Sequence, residues 1–334
     1  MKTLFPFTIV LIIAFTSCQE EEFYQIEGET EGTTYHMIFQ GEHKNIKRSV
    51  DSILSEFDMS LSTYIPNSII SKVNKSNRVH IDNYFKEMFI KAKEVNKESN
   101  GAFDITVGPL IDVYGFGSEK TDVEIDSALI DSILQYVGMD KVRIENDTLI
   151  KENDNIILSA NAIAQGQAVD VICKYFDGLG IKNYMVEIGG ELKAKGLKKG
   201  LKWRVGVDKP IEGNQVAGEN LQTILLVTDK ALATSGNYRQ FYIKDGKKYT
   251  HTINPITGYP AFQNILSATI IADDCITADA YATACVVLGF EESIKMLEKN
   301  PKLDAYFVYT DLKTGEVKTY YTKAVETMIL QETK

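Results

Sequence analysis

Cysteine is scarce in this 334-residue chain: there are four, at positions 18, 173, 275 and 285. No pair has CxxC or zinc-finger spacing, which excludes a thiolate metal centre of those kinds. Cys173 and Cys285 fall inside apolar helical patterns and read as buried free thiols. A basic stripe is also missing, and the formal net charge is −10. That balance repels a nucleic-acid backbone and excludes DNA and RNA as partners. A pyrophosphate would meet the same repulsion, and a divalent cation is the usual remedy. The chain has no GxxxxGK[ST] loop, no GxGxxG after a strand and no GxSxG elbow. Gly178 and Gly180 instead close a helix. No internal repeat or low-complexity linker stands out. With 44% hydrophobic and 25% charged residues, the composition is that of one large globular domain or two small ones.

The N-terminus carries an export pattern. Lys2 supplies a positive start, and Leu4 to Phe15 is apolar. At about a dozen residues this run is too short for the ~20 that span a bilayer. It ends in Phe15-Thr16-Ser17-Cys18, which resembles a bacterial lipobox, with residues 1–17 removed and Cys18 lipidated. A plain secretory signal with an incidental cysteine is the alternative. Cleavage takes away one Lys and no acid, leaving a chain near −11. Gln19, Glu20, Glu21 and Glu22 follow, so residues 18–27 read as an acidic tether ahead of a domain over 28–334.

Hydrophobic spacing predicts strands over Tyr24 to Gln40, around Gly28 and Gly32. Helices are expected from Ile46 to Phe57, from Asp82 to Asn100-Gly101, from Asp126 to Gly138 and from Ala164 to Leu179. Tyr184–Ile188, Trp203–Val207, Thr223–Val227, Phe241–Ile243 and Ser267–Ile271 read as strands, with a hairpin turn at Asp245-Gly246. Thr277 is placed as the cap of a helix that runs to Leu288 and stops at Gly289. Strands and helices mix without a βαβ rhythm, which gives α+β: one compact unit of two interlocked halves.

Within this frame, Asp279 and Thr283 are four residues apart and share a helix face. They offer a carboxylate and a hydroxyl, both hard oxygen donors suited to Mg²⁺, and the alanines around them leave room for a ligand. An Asp near a helix start is also favoured by the dipole, and a helical Thr can bond back to its own turn. Asp104, a lone acid in an apolar run, reads as a cap unless it belongs to a site. His251 sits beside the Asn254-Pro255 and Thr257-Gly258 turn signals. It suits either a general base or a half-exposed strand residue. Thr234-Ser235-Gly236-Asn237-Tyr238-Arg239 reads as a tight turn whose N–H groups and hydroxyls could line a phosphate, with Arg239 more simply in an ion pair.

Taken in order, these segments resemble the FAD:protein FMN transferases, the ApbE-type flavin transferases. The resemblance runs through Gly32-Thr33-Thr34-Tyr35, Leu61-Ser62-Thr63-Tyr64 with Ser68, Ser71 and Asn74, and Gly101 to Leu110. It continues through Ala162-Ile163-Ala164-Gln165-Gly166 with Ala168, Val169 and Asp170, Val186 to Glu191, Ala233 to Arg239, His251 to Pro255 and the Ala278 to Thr283 helix. It implies mixed and antiparallel sheets and Mg²⁺ held by the Ala162 carbonyl, Asp279 and Thr283. FAD, as substrate, would lie against Tyr64, the Ala102-Phe103-Asp104 segment, the Ser159 to Gln165 turn and the backbone near Ile253. The implied reaction moves FMN from FAD to a Thr or Ser hydroxyl of an acceptor protein and releases AMP. His251 is the candidate base and Asp279 its competitor. Acceptors would be flavoprotein subunits of extracytoplasmic electron-transfer complexes, reached by an enzyme lipid-anchored in the bacterial envelope. FAD hydrolysis by the same metal site, or FAD storage without catalysis, are the alternatives. The sequence departs from the family pattern at four positions: Glu31 stands for a frequent Met, Ser159 for an acid, Gln165 for Lys or Glu, and Gln167 for Tyr.

Overall fold

A computed structural model describes residues 22–117, 125–211, 218–236, 241–244 and 247–330. Residues 1–17, Cys18 and its neighbours to Glu21, Asn237 to Arg239 and the Asp245-Gly246 turn lie outside the described residues.

The chain opens with the hairpin β1 (Phe23–Thr30) and β2 (Thr33–Gln40), then α1 (Ile46–Leu61), α2 (Ile69–Lys75), β3 (Arg78–His80) and α3 (Asn83–Glu98). Next come α4 (Gly108–Val113), α5 (Ser127–Leu134), β4 (Val142–Glu145), β5 (Thr148–Lys151) and α6 (Ala164–Gly178). The hairpin β6 (Tyr184–Ile188) and β7 (Glu191–Lys195) precedes β8 (Trp203–Asp208), β9 (Leu221–Val227) and β10 (Lys230–Gly236). The rest is β11 (Phe241–Lys244), β12 (Lys247–Thr250), β13 (Ile265–Ala272), α7 (Cys275–Leu288), α8 (Phe290–Lys299), β14 (Asp304–Thr310), β15 (Val317–Tyr321) and α9 (Lys323–Glu326).

An eight-stranded sheet in the order β1-β2-β6-β7-β10-β13-β14-β15 is the backbone of the fold. Every ladder between these strands is antiparallel. Parallel pairing among the described residues is confined to a lone bridge between Val107 and Ile157. The period of two decides which layer each side chain joins. Ala231, Ala233, Ile270 and Ala272 face the main core with α6 and α7, whereas Leu232 and Ile271 face a second core with Trp203, Val205 and Leu225 of the β8–β9 hairpin. The sheet is therefore covered on both sides, as expected of one α+β unit.

Helix α7 is the central element. Almost every side chain from Cys275 to Val287 is buried, including Ala278, Ala280, Ala282 and Ala284. A helix apolar all round belongs in a core, and its alanines let α6 and the sheet approach closely. Its cap is Asp274, whose Oδ1 accepts from the Thr277 N–H at 2.9 Å. Thr277 therefore lies in the first turn and is not the cap expected from sequence. Gly289 ends the helix at φ +81°, in the left-handed region that glycine enters at little cost. Cys173, Cys275 and Cys285 are all buried free thiols.

Candidate functional site

A cavity of about 560 Å³ opens where two hairpin tips, the starts of α6 and α7 and two loops converge. That is ample for a nucleotide-sized ligand. From α7 come Asp279 and Thr283; from the turn before α6 come Ser159 and Ala162, and from the first turn of α6 Gln165; from the loop after α3 come Ala102, Phe103 and Asp104. Tyr64 follows α1, and His251 and Ile253 follow β12. The residues expected to hold the metal, the flavin and the acceptor proton thus line one space, while Asn237 to Arg239 lie outside the described residues.

The α6–α7 contact positions the acid and hydroxyl. Gly166 N donates to Asp279 Oδ2 at 3.0 Å. A Cβ on Gly166 would stand 2.4 Å from the Cys275 carbonyl oxygen and 2.7 Å from Asp279 Cβ, so only glycine allows this approach. Asp170, one turn further along α6, accepts from the N–H groups of Cys275 at 2.8 Å and Ile276 at 2.9 Å. Lys193 Nζ lies 3.5 Å from its other oxygen. The start of α7 is thereby fixed against the segment that carries Ala162.

The charge around the cavity is one-sided. Glu31, Asp58, Asp104, Glu191 and Asp279 line it, and no Lys or Arg is found among its described lining residues. Burial pushes the Asp279 carboxyl up to about 7, against the single N–H bond from Gly166. Burial, then Asp58 and Asp279, push Glu31 up to about 8. Glu191 is also raised well above the carboxylate range, by burial and then by Asp279. Such charges demand a compensating cation or a proton.

Linkage fixes the sign of the effect on stability. These acids hold protons more tightly folded than unfolded, so their contribution is whole below about pH 4 and lost as pH rises through about 7 to 8. In EDTA the melting temperature is expected to fall between about pH 5 and pH 8.5, and Mg²⁺ should remove much of the fall by taking the proton's place. Calorimetry checks this; a flat or rising profile in EDTA contradicts it.

The ApbE family profile matches residues 31–307. The chain belongs to the ApbE family. A relative named FAD:protein FMN transferase, from Vibrio cholerae, is 33% identical over 311 residues, covering 90% of this chain and 92% of its own. One of the same name from Escherichia coli K12 is 29% identical over 321 residues, covering 92% and 89%. Among solved structures, the flavin transferase ApbE from Vibrio cholerae superposes with a TM-score of 0.82 at 31% identity, covering 92% of this chain and 99% of that one. The apo flavinyl transferase ApbE of Pseudomonas stutzeri gives 0.81 at 30%, covering 92% and 97%.

Within this ApbE site the residues divide by what their side chains do. Tyr64 is 67% exposed at the mouth, leaving its ring free to stack. Phe103 is a core side chain, 2% exposed, so it cannot offer a full stacking face. Asp104 is not a helix cap. Its Oδ1 accepts from Thr106 N at 2.7 Å and its Oδ2 from Met139 N and Asn96 Nδ2, each at 3.2 Å, so it ties the loop after α3 to the 138–139 turn. Burial nonetheless raises its pKa. His251 lies in a bend after β12, not in a strand, with Phe116 edge-on at 6.4 Å between ring centroids. Thr234 to Gly236 are the end of β10 and not a turn, with the Thr234 and Thr269 hydroxyls 2.8 Å apart across the ladder. Gln167 is absent from the cavity lining. It is 1% exposed and its Nε2 donates to the Tyr84 carbonyl at 2.9 Å. Sequence reasoning missed Asp58 and the acid at Glu191, and treated Glu31 only as a departure; the three are far apart in the chain, so no local pattern joins them.

Proposed function

We propose that this enzyme splits FAD and transfers the FMN half to a hydroxyl of an acceptor protein, releasing AMP. The observation that carries the reading is the convergence of Asp279, Thr283 and the turn bearing the Ala162 carbonyl on a nucleotide-sized cavity whose described lining has no Lys or Arg. Family membership and the names of the relatives support it.

The donor set suits Mg²⁺: all three groups are hard oxygens, and Asp279 is a buried carboxylate with no Lys or Arg among the described residues that line its cavity. Held there by the Ala162 carbonyl, Asp279 and Thr283, Mg²⁺ would supply positive charge to the pyrophosphate as its bridging P–O bond breaks. The protein residues do the rest. Tyr64 stacks on an aromatic ring of FAD at the mouth. The backbone around Ala102 to Ile105, Ser159 and Ile253 shapes the channel behind it. Gly166 and Asp170 hold Asp279 in place. The acceptor oxygen forms a new bond to the FMN phosphorus while the bond to AMP breaks, and the hydroxyl proton goes to His251.

His251→Ala is expected to lower FMN transfer ~10²- to 10⁴-fold, the usual range for a general base. Transfer should rise with pH in the variant where hydroxide can substitute. Wild-type rates across the pH range would remove His251 from this role.

One experiment separates transfer from its rivals. The full chain is incubated with FAD and Mg²⁺, with and without a candidate acceptor, and AMP and protein-bound flavin fluorescence are followed. Acceptor-dependent AMP with covalent flavin supports transfer. AMP without acceptor means FAD hydrolysis, and no AMP at all means storage. The N-terminal pattern supports export and anchoring through a lipid on Cys18, on the envelope side where flavoprotein subunits of electron-transfer complexes are exposed. A Cys18→Ala chain that still fractionates with membranes would overturn the anchor.

A further inference from the structure

No basic stripe runs along this chain, yet one hairpin tip is locally cationic. Between Glu191 and Asp208 the sequence holds five Lys, one Arg and no acid. Lys193 and Lys195 pair with Asp170 and Asp177. Lys198, Lys199, Lys202 and Arg204 are exposed and join no ion pair among the described residues. The same tip exposes two leucines, Leu197 at 39% and Leu201 at 72%. Its shape is fixed. Lys199 and Gly200 turn at φ +51° and +77°, a two-residue turn that suits a twisted hairpin. The N–H groups of Lys198 and Leu201 donate to each other's carbonyls, at 2.8 and 3.1 Å. Trp203 supports the tip at its base: the ring N–H donates to the Lys195 carbonyl at 3.1 Å, and Lys198 Nζ lies 5.7 Å from the ring centroid.

The tip stands where the chain enters the fold. Phe23 packs edge-on against Trp203, with 5.9 Å between ring centroids. The Glu22 carbonyl accepts from Gly41 N at 3.0 Å, Gln40 N donates to the Asn183 carbonyl at 2.9 Å, and the Asn183 side chain accepts from Leu197 N at 2.8 Å. Cys18 is five residues before Phe23, a reach of at most about 18 Å. A lipid on Cys18 therefore keeps this end of the sheet close to the bilayer. Leucines beside lysines suit that surface, the leucines entering the headgroup layer and the lysines meeting lipid phosphates. Glu20, Glu21 and Glu22 of the tether are repelled by lipid anions, and the lysines supply the opposing charge. We propose that the 197–202 tip docks on an anionic lipid surface and sets the orientation of the enzyme there. From this end β1 runs eight residues, about 25 Å, to Glu31 and Gly32 at the cavity. Docking thus holds the cavity away from the lipid, toward a protein acceptor.

The proposal rests on the Cys18 anchor of the reading above, and the test keeps the two apart. The lipid-bearing full chain is reconstituted into vesicles of phosphatidylcholine alone or mixed with phosphatidylglycerol. Amide hydrogen exchange over residues 196–203 is compared with that of the same chain in neutral detergent. Each Lys near an anionic surface favours docking about fivefold, so exchange should slow on the order of tenfold on the mixed vesicles and far less on the neutral ones. Lys198→Gln, Lys199→Gln and Lys202→Gln together should remove the slowing, and Leu197→Ser with Leu201→Ser should reduce it. All these side chains are exposed, so both variants should melt at the wild-type temperature in detergent, which confirms their fold. No slowing on the mixed vesicles, or equal slowing on both kinds, overturns the docking. Slowing that follows protein density instead of lipid charge marks contact between copies and overturns it too. If a Cys18→Ala chain stays on vesicles as firmly as wild type, the anchor reading fails, and slowed exchange in that chain still supports the docking.

Discussion

Asp279→Asn is expected to lower AMP release from FAD by at least ~10³-fold, a loss of roughly 4 kcal/mol of transition-state stabilisation. The amide keeps the shape of the side chain and an oxygen that can still accept from Gly166 N, now 3.0 Å away. What it removes is the charge. An amide oxygen is a poor substitute for a carboxylate toward Mg²⁺, so neither the cation nor the pyrophosphate opposite it is well held. The same change removes a charge that burial opposes and that repels Glu31 and Glu191. The variant should therefore melt at or above the wild-type temperature in EDTA while losing activity. Steady-state AMP release and calorimetry check both halves. Activity within tenfold of wild type would mean that Asp279 is not the central ligand.

Asp170→Ala should give the largest loss of stability, on the order of 3–5 kcal/mol, because a buried charged interaction is broken from one side. Two N–H groups at the start of α7 lose their acceptor, and Lys193, 3.5 Å away, loses its counter-charge. Each orphaned buried donor alone costs about 1–3 kcal/mol. For a chain of this size the melting temperature should drop on the order of 10 °C. Asp170→Asn keeps one oxygen for the two donors and should fall by less than half as much. Since α7 carries Asp279, AMP release should decline with the alanine variant as well. A shift of only a degree or two would show that other contacts set the start of α7.

That Asp279 and Thr283 share a helix face was legible from spacing, because a helix puts residues four apart on one face wherever it lies; spacing alone left open a dipole-favoured Asp and a back-bonding Thr. Part of the large sheet was legible for a similar reason: alternation marked β1, β2, β6 and β13, whereas β7, β10, β14 and β15 were not read as strands. What escaped depended on tertiary placement. The Thr30-Glu31-Gly32-Thr33 stretch looks like a solvated acidic turn, and only the neighbouring hairpin tip and α1 enclose it. Thr277 alone was read as the cap of α7, yet the chain leaving β13 puts Asp274 in extended backbone at the cap and Thr277 in the first turn. Thr234 to Gly236 are small enough for a turn, yet pairing with β13 through Gly236 and Ser267 holds them extended. Phe103 and Gln167 fall in motif positions whose side chains the fold turns into the core or toward Tyr84.

The most direct measurement is the anomalous scattering of Mn²⁺ in crystals of this protein soaked with FAD and Mn²⁺. A peak bonded to the Ala162 carbonyl, an Asp279 carboxylate oxygen and the Thr283 hydroxyl, with the FAD pyrophosphate on its open side, is the expected result. A peak that avoids those three oxygens, or a flavin bound outside the cavity, would contradict the account.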